Sequence, residues 1–363
     1  MMTDSPSSLP DYAPRNGFGD DSSDRLLSIE NLRVTVHHGA ATAVRGASLD
    51  VAPGEIVGLV GESGSGKTLT CRAALGVLPP GCAVQSGTIA FAGRDLTRLS
   101  RRQWEQVHGA YIGAVFQDPA SYLNPNLTVG SQLAEVLRIR RRLNRRAAHA
   151  RAVELFTAVG LRQPERVFHQ IPAELSGGML QRAMIATAIC CDPRLVIADE
   201  ATTALDVTIQ AEVIELLRQL RRERDLAVLF VSHDLAVVSE LCDRIAVFYA
   251  GEIVETGRTE EIIERPRHPY TQALMRVATV GDYRRRELQV IAGQPPGVGA
   301  EITGCRFAAR CPDAIAACGA GPVGPVSVGL GHDARCLRVN EVAGNGMAGV
   351  TGASAVAGEL AVR

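Results

Sequence analysis

Short apolar runs, each the length of a strand, alternate along most of this chain with longer stretches of helical spacing. Leu27–Val36 and Ala43–Val51 read as strands, and Pro53-Gly54 turns the chain into a third apolar run, Glu55–Val60, like a buried parallel strand. Lys67–Leu78 reads as a helix. Gly87–Phe91 and Tyr111–Phe116 follow as strands, with polar connecting sequence around Ser100–Val107. Residues 128–193 carry helical periodicity, closing with a helix that opens at Leu175-Ser176-Gly177-Gly178-Met179 and runs to Cys191. The apolar strand Leu195–Glu200, ending in two carboxylates, a helix over Val207–Arg224 and the strand Ala227–Val231 complete the pattern. Even the longest apolar stretches, such as Leu226–Val231, fall far short of the ~18–20 residues that span a bilayer.

Composition adds limits. The 363 residues, 46% of them hydrophobic, suffice for one large domain with an appendage or for two domains. A net charge of −1 gives no global field that would favour nucleic acid or an acidic partner. Residues 1–25 are rich in Ser, Pro, Asp and Gly without the apolar centre of a signal peptide, which predicts a disordered cytoplasmic leader. Nine cysteines without a secretory signal point to thiols or metal ligands rather than disulfides.

The first chemistry lies between the third strand and the helix. Gly61-Glu62-Ser63-Gly64-Ser65-Gly66-Lys67-Thr68 fits the phosphate-binding pattern G-x-x-x-x-G-K-[ST]. Gly61, Gly64 and Gly66 let the backbone approach phosphates closely, and the helix start favours an anion. Lys67 would reach the β- and γ-phosphates of a nucleotide, and the Thr68 hydroxyl would hold Mg²⁺. Lys67 is also the sole lysine among 38 Lys and Arg residues. The preference for arginine everywhere else stops where a compact ammonium must fit beside phosphates.

Weaker signals follow in order. Gln117 ends a strand, where it could bind Mg²⁺ or the attacking water, although a polar residue before Asp118-Pro119 is also ordinary turn chemistry. The run Arg138–Arg146 has no interleaved aromatics and reads as a solvated helix face rather than a nucleic-acid patch. Ser176 is a helix N-cap, and with Gly177 and Gly178 it forms a second helix start able to receive an anion. Asp199 at a strand tip is placed to bind Mg²⁺ through water, and Glu200 to polarise a nucleophilic water. Ala204-Leu205-Asp206 comes next, and His233 at another strand tip could sense a γ-phosphate, though a lone histidine is more often structural.

Taken in sequence, these stretches resemble the motif series of the ATP-binding cassette ATPases over roughly residues 26–280. Gly61–Thr68 corresponds to Walker A, Gln117 to the Q-loop, and Leu175–Met179 to the signature. Asp199 and Glu200 correspond to Walker B with its catalytic glutamate, Ala204–Asp206 to the D-loop and His233 to the switch histidine. The resemblance implies an α/β P-loop NTPase domain with a parallel central sheet, an antiparallel β-portion, a helical subdomain at about 128–193 and a C-terminal extension over 281–340. It also implies two such domains head to tail, the Ser176–Gly178 loop of one meeting ATP on Lys67 of the other. A narrower resemblance, to oligopeptide and dipeptide importer ATPases, rests on Phe116–Pro125, Thr202–Gln210, His268–Leu274 and Met179. It implies peptide import from the cytoplasmic face of the inner membrane. The implied partners are a second, related ATPase chain, two membrane permease subunits and, indirectly, an external solute-binding protein, with no nucleic acid. Nickel or another solute is the alternative cargo, and a soluble ATPase of DNA repair or translation the alternative class. Two positions depart from the pattern: Ala201 stands where proline commonly follows the glutamate, and near Val36 only His37 and His38 are offered for stacking on adenine.

Cys305, Cys311, Cys318 and Cys336, spaced C-x5-C-x6-C-x17-C in a segment rich in glycine and proline, suggest a metal site standing in for a core. The spacing departs from common zinc patterns. Similar motifs in the importer branch bind a [4Fe-4S] cluster, with structural zinc and free thiols as the alternatives. Cys71, Cys82, Cys190, Cys191 and Cys242 read as core residues, and residues 341–363 as a flexible tail.

Overall fold

The first two strands form where the pattern places them and pair antiparallel, β1 (Leu27–Val36) with β2 (Ala41–Val51). The computed structural model describes residues 24–201, 207–279 and 291–339. The leader and the tail fall almost wholly outside these residues, as do Ala204, Leu205 and Asp206.

The wholly buried strand β3 (Ile56–Val60) leads through the glycine-rich loop into α1 (Lys67–Ala74). This helix stops short of the expected Leu78. Gly76 takes φ 66°, and a Cβ there would stand 2.3 Å from the Trp104 ring, so the chain turns out of the helix to let the indole pack. Next come β4 (Ala83–Phe91), β5 (Arg94–Asp95) and α2 (Arg101–Val107). The last replaces the polar connection expected there. Its start is fixed by the Gln103 side chain, which accepts the Ser100 backbone N–H at 2.8 Å, one half of a capping box.

Strand β6 (Ile112–Val115) is followed by helices α3 (Pro119–Tyr122), α4 (Val129–Arg141), α5 (Arg145–Ala158), α6 (Pro164–Phe168) and α7 (Gly177–Ile189). The arginine run is less uniformly solvated than expected: Arg141 holds Asp192 at 2.9 Å and tethers the end of α4. Strand β7 (Leu195–Asp199), α8 (Val207–Arg224), β8 (Ala227–Val231), α9 (Leu235–Leu241), β9 (Arg244–Tyr249) and β10 (Glu252–Arg258) come next. Helices α10 (Thr259–Glu264) and α11 (Pro269–Thr279) precede two short strands, β11 (Val326–Gly329) and β12 (His332–Ala334).

The strands form two sheets. One is antiparallel in the order β2-β1-β4-β5, and the other runs β11-β12-β10-β9-β3-β8-β7-β6. Strands β9, β3, β8, β7 and β6 pair in parallel, whereas β10, β12 and β11 continue antiparallel. The larger sheet is therefore mixed, and the cysteine-bearing segment supplies its edge.

Alternation divides two cores. Ile56, Val60, Val196, Phe230 and Val247 face the helical segment α4–α7, while Val57, Leu59, Ile197, Leu229 and Phe248 face α1 and the antiparallel sheet. Cys71, Cys190, Cys191 and Cys242 are buried as expected, but Cys82 is only half-buried because it lies in the turn leading into β4.

Gly130 of α4 packs so tightly on α6 that a Cβ would meet Phe168 at 2.2 Å. Gly130→Ala should cost about 1–3 kcal/mol, seen as a melting temperature several degrees lower. An unchanged melting curve would show that this contact is not close-packed.

Candidate functional site

Strand β3 ends at Gly61, whose φ of 146° carries the loop across β9; a Cβ there would stand 2.1 Å from the Phe248 carbonyl oxygen. Gly66, at φ 114°, caps α1 without a side chain of its own. Ser63 and Gly64 lie exposed between them, and Gly251 N–H donates to Ser65 O at 2.7 Å. Within this fold of backbone the Lys67 ammonium is almost fully buried. It donates to Gly61 O at 2.7 Å, Glu62 O at 2.9 Å and Ser65 Oγ at 3.4 Å. Burial lowers the Lys67 pKa, opposed by the charges of Glu200 and Asp199. A desolvated ammonium held only by neutral oxygens has a standing preference for an anion.

Strand β7 brings Asp199 to the same place, where Thr68 Oγ1 donates to Asp199 Oδ1 at 3.0 Å. Asp199 is 5% exposed, and burial raises its pKa while the Thr68 hydrogen bond and Arg72 oppose the rise. Glu200 follows at φ 52°, a left-handed conformation unusual for glutamate, with its N–H donating to Val231 O at 3.0 Å. His233 Nδ1, just past β8, lies 3.7 Å from Glu200 Oε2.

An ammonium, a hydroxyl, two carboxylates and an imidazole thus meet beyond the carboxyl ends of β3, β7 and β8, where open α/β sheets place ligands. The chemistry this allows is the holding of a polyphosphate, of a hard cation between Thr68 and Asp199, and of a water beside Glu200. Gln117 is exposed just beyond β6. The Ser176 hydroxyl caps α7 by accepting from Met179 N–H at 3.3 Å. Leu175 is buried and Met179 half-buried, Gly178 packs on Ile209, and Ser176 with Gly177 faces outward. His37 and His38 are exposed in a short turn.

Sequence reasoning missed a further contributor. Both guanidinium nitrogens of Arg310 hold the Glu62 carboxylate, at 2.7 and 2.9 Å, and Tyr270 Oη accepts from Glu62 N–H at 2.9 Å. Glu62 and Arg310 are 248 positions apart, and no local pattern pairs them.

Cys305, Cys311, Cys318 and Cys336 line one pocket beside His268 and Phe307. Burial first, and neighbouring thiols after it, raise the thiol pKa of Cys305 and Cys336 and push Cys311 up to about 11, a tension that a bound cation would relieve. Among the described residues, His149 of α5, Glu165 of α6 and His169 just past α6 bring three ligand atoms within 4.8 Å of one another.

Comparison with known proteins gives a consistent result. The ABC transporter family profile matches residues 44–203, and a profile for the oligopeptide/dipeptide transporter C-terminal region matches residues 254–318. The dipeptide transport ATP-binding protein DppD of Bacillus subtilis is 43% identical over 298 residues, 81% of this chain and 89% of that protein. OppD of the same organism, an oligopeptide transport ATP-binding protein, is 44% identical over 79% of this chain and 81% of its own length. The probable D,D-dipeptide transport ATP-binding protein DdpD of Escherichia coli is 43% identical over 81% and 90%. Among solved structures, the dimeric ATP-binding cassette MJ0796 bound to ADP and Pi aligns with TM-score 0.58 and 26% identity, over 64% of this chain and 98% of that one. Subunit cbiO1 of Clostridium perfringens aligns at 0.59 and 25%, over 67% and 93%.

A carboxyl with a raised pKa stabilises the fold when protonated and loses that contribution as pH rises through its folded value. At neutral pH the ionised Asp199 therefore weighs against the nucleotide-free protein. Asp199→Asn should melt higher than the native chain at pH 7, with the gap closing under acid conditions, while losing the extra stabilisation that Mg²⁺ gives to nucleotide binding. Scanning calorimetry with and without Mg²⁺ checks both; a lower melting point at pH 7 would refute the account.

Proposed function

Because the chain belongs to the ATP-binding cassette family of transporter ATPases, in the branch of the oligopeptide and dipeptide importers, we propose that it hydrolyses ATP to drive peptide uptake. The observation that carries this reading is the joining of the Lys67 loop to the Thr68–Asp199 pair and the Glu200–His233 pair at one sheet edge.

Lys67 exchanges the Gly61 and Glu62 carbonyls for the β- and γ-phosphates, and the first amides of α1 face the same anion. Thr68 and Asp199, with Gln117, are the groups that would hold Mg²⁺, which supplies charge neutralisation for the phosphates. Glu200 polarises the attacking water, and His233 beside it contacts the γ-phosphate and registers its departure. The outward-facing Ser176 and Gly177 would complete the site of a second, related ATPase chain, with Leu175, Gly178 and Met179 holding that loop in shape; Ala204–Asp206, the D-loop of the resemblance, lie outside the described residues. Gln117 and the helical subdomain pass closure to two membrane permease subunits, which receive peptide from an external binding protein. The likeness to ATP-binding subunits of peptide transporters supports a peripheral place on the cytoplasmic face of the membrane; no helix among the described residues is long and apolar enough to cross it.

The four cysteines fit a resident metal group. Four thiols around one pocket are a soft donor set. By the resemblance to the importer branch, Cys305, Cys311, Cys318 and Cys336 are the residues that would hold a [4Fe-4S] cluster, with structural zinc as the alternative, and the group would contribute fold stability to the extension.

Glu200→Gln should bind ATP, accumulate as a closed dimer and turn over at least about a hundredfold more slowly. Lys67→Ala should lose nucleotide affinity in equilibrium binding. Uptake of labelled di- and oligopeptides by cells expressing Glu200→Gln at matched level should collapse. Undiminished uptake would refute the peptide assignment, and native turnover would remove Glu200 from its role.

A further inference from the structure

Glu62 is held at three points. Its carbonyl accepts from Lys67, its N–H donates to Tyr270 Oη, and both oxygens of its carboxylate are taken by Arg310. Arg310 itself is nearly inaccessible, its side chain 4% exposed. Its remaining donors reach Ala292 O at 2.9 Å, Ile291 O at 3.0 Å and Tyr249 Oη at 3.2 Å, and it lies against the rings of Tyr249 and Phe307. A planar fork with every arm assigned has one orientation, which a lysine could not reproduce.

Two consequences follow from position. The Glu62 carboxylate belongs to the loop that cradles phosphates, so without a cation beside it a negative charge would oppose the incoming polyanion. Arg310 ends a short turn, Ala308–Arg310, framed in sequence by Cys305 and Cys311. The geometry points to Arg310 as a positioning residue of the nucleotide site: it fixes and neutralises Glu62, and so makes nucleotide affinity depend on the folding of the cysteine segment. This inference rests on the reading of Gly61–Thr68 as the nucleotide loop.

The test is equilibrium binding of MgATP to the purified full-length chain, native and as Arg310→Gln, Arg310→Lys, the double variant Arg310→Gln/Glu62→Gln, and Lys67→Ala. Each is checked by melting curve and by metal and thiol content of the cysteine segment. Arg310→Gln should weaken binding by roughly tenfold, the scale of one charge-pair partner lost, with metal content unchanged. Arg310→Lys should fall between it and the native chain. The double variant, which has no carboxylate left to repel phosphate, should recover to within about threefold of native. Native affinity in Arg310→Gln, with Lys67→Ala defective, would overturn the inference and leave the nucleotide site standing. A double variant as weak as Arg310→Gln would also overturn it, because the arginine would then act only by holding the fold. Native affinity in Lys67→Ala would overturn the nucleotide loop itself.

Discussion

An ammonium and a carboxylate, Lys67 and Asp199, are kept out of water at the end of one sheet, and each is energetically uncomfortable in its charged form. That discomfort organises the molecule. The loop around Lys67 turns its carbonyls inward and crosses Phe248 at a distance only glycine permits, while β7 and β3 are separated by the single strand β8. The apolar faces on either side of the sheet keep these groups dry. An anion beside Lys67 and a cation beside Asp199 would each offset the cost of burying that charge.

The two cores give this arrangement its mechanical character. Alternate residues of β3, β7, β8 and β9 bind α4–α7 on one side and the antiparallel sheet with α1 on the other. Helix α7, whose first turn carries Ser176 and Gly177, shares its core with the strands that present Asp199 and Glu200. The strand that presents Asp199 and the helical segment are therefore packed in one continuous apolar core.

What could be read from the sequence is what depends on neighbours in the chain. The glycine-rich loop, the acidic end of β7 and the strand periods are local patterns, and Leu27–Val36, Val207–Arg224 and Ala227–Val231 occur at the expected boundaries, while β7 stops one residue short of the expected Glu200, which turns away at φ 52°. The misses have particular causes. Helix α2 was concealed because Ser100 and Gln103 cap a polar surface helix with little apolar periodicity. Helix α1 ends early because Trp104 packs on Gly76. Cys82 looked apolar in sequence but lies in a half-exposed turn. Arg310 was invisible as a site residue since its partner is set by tertiary folding alone, and the same holds for the strands β11 and β12 that join β10.

That joining bears on how the protein is made. Strand β10 ends at Arg258, but the strand that covers its outer edge begins only at His332, roughly 70 residues later. At the ~5–20 residues per second of synthesis, the edge stands open for several seconds after β3, α1, β7, β8 and β9 have been made, and Tyr270 and Arg310, which hold Glu62, are made within that interval. An open edge is a template for pairing with other chains. The thiol-bearing segment thus closes this edge of the sheet well after β10 is made, and a nascent chain stalled before it would expose β10 to intermolecular pairing.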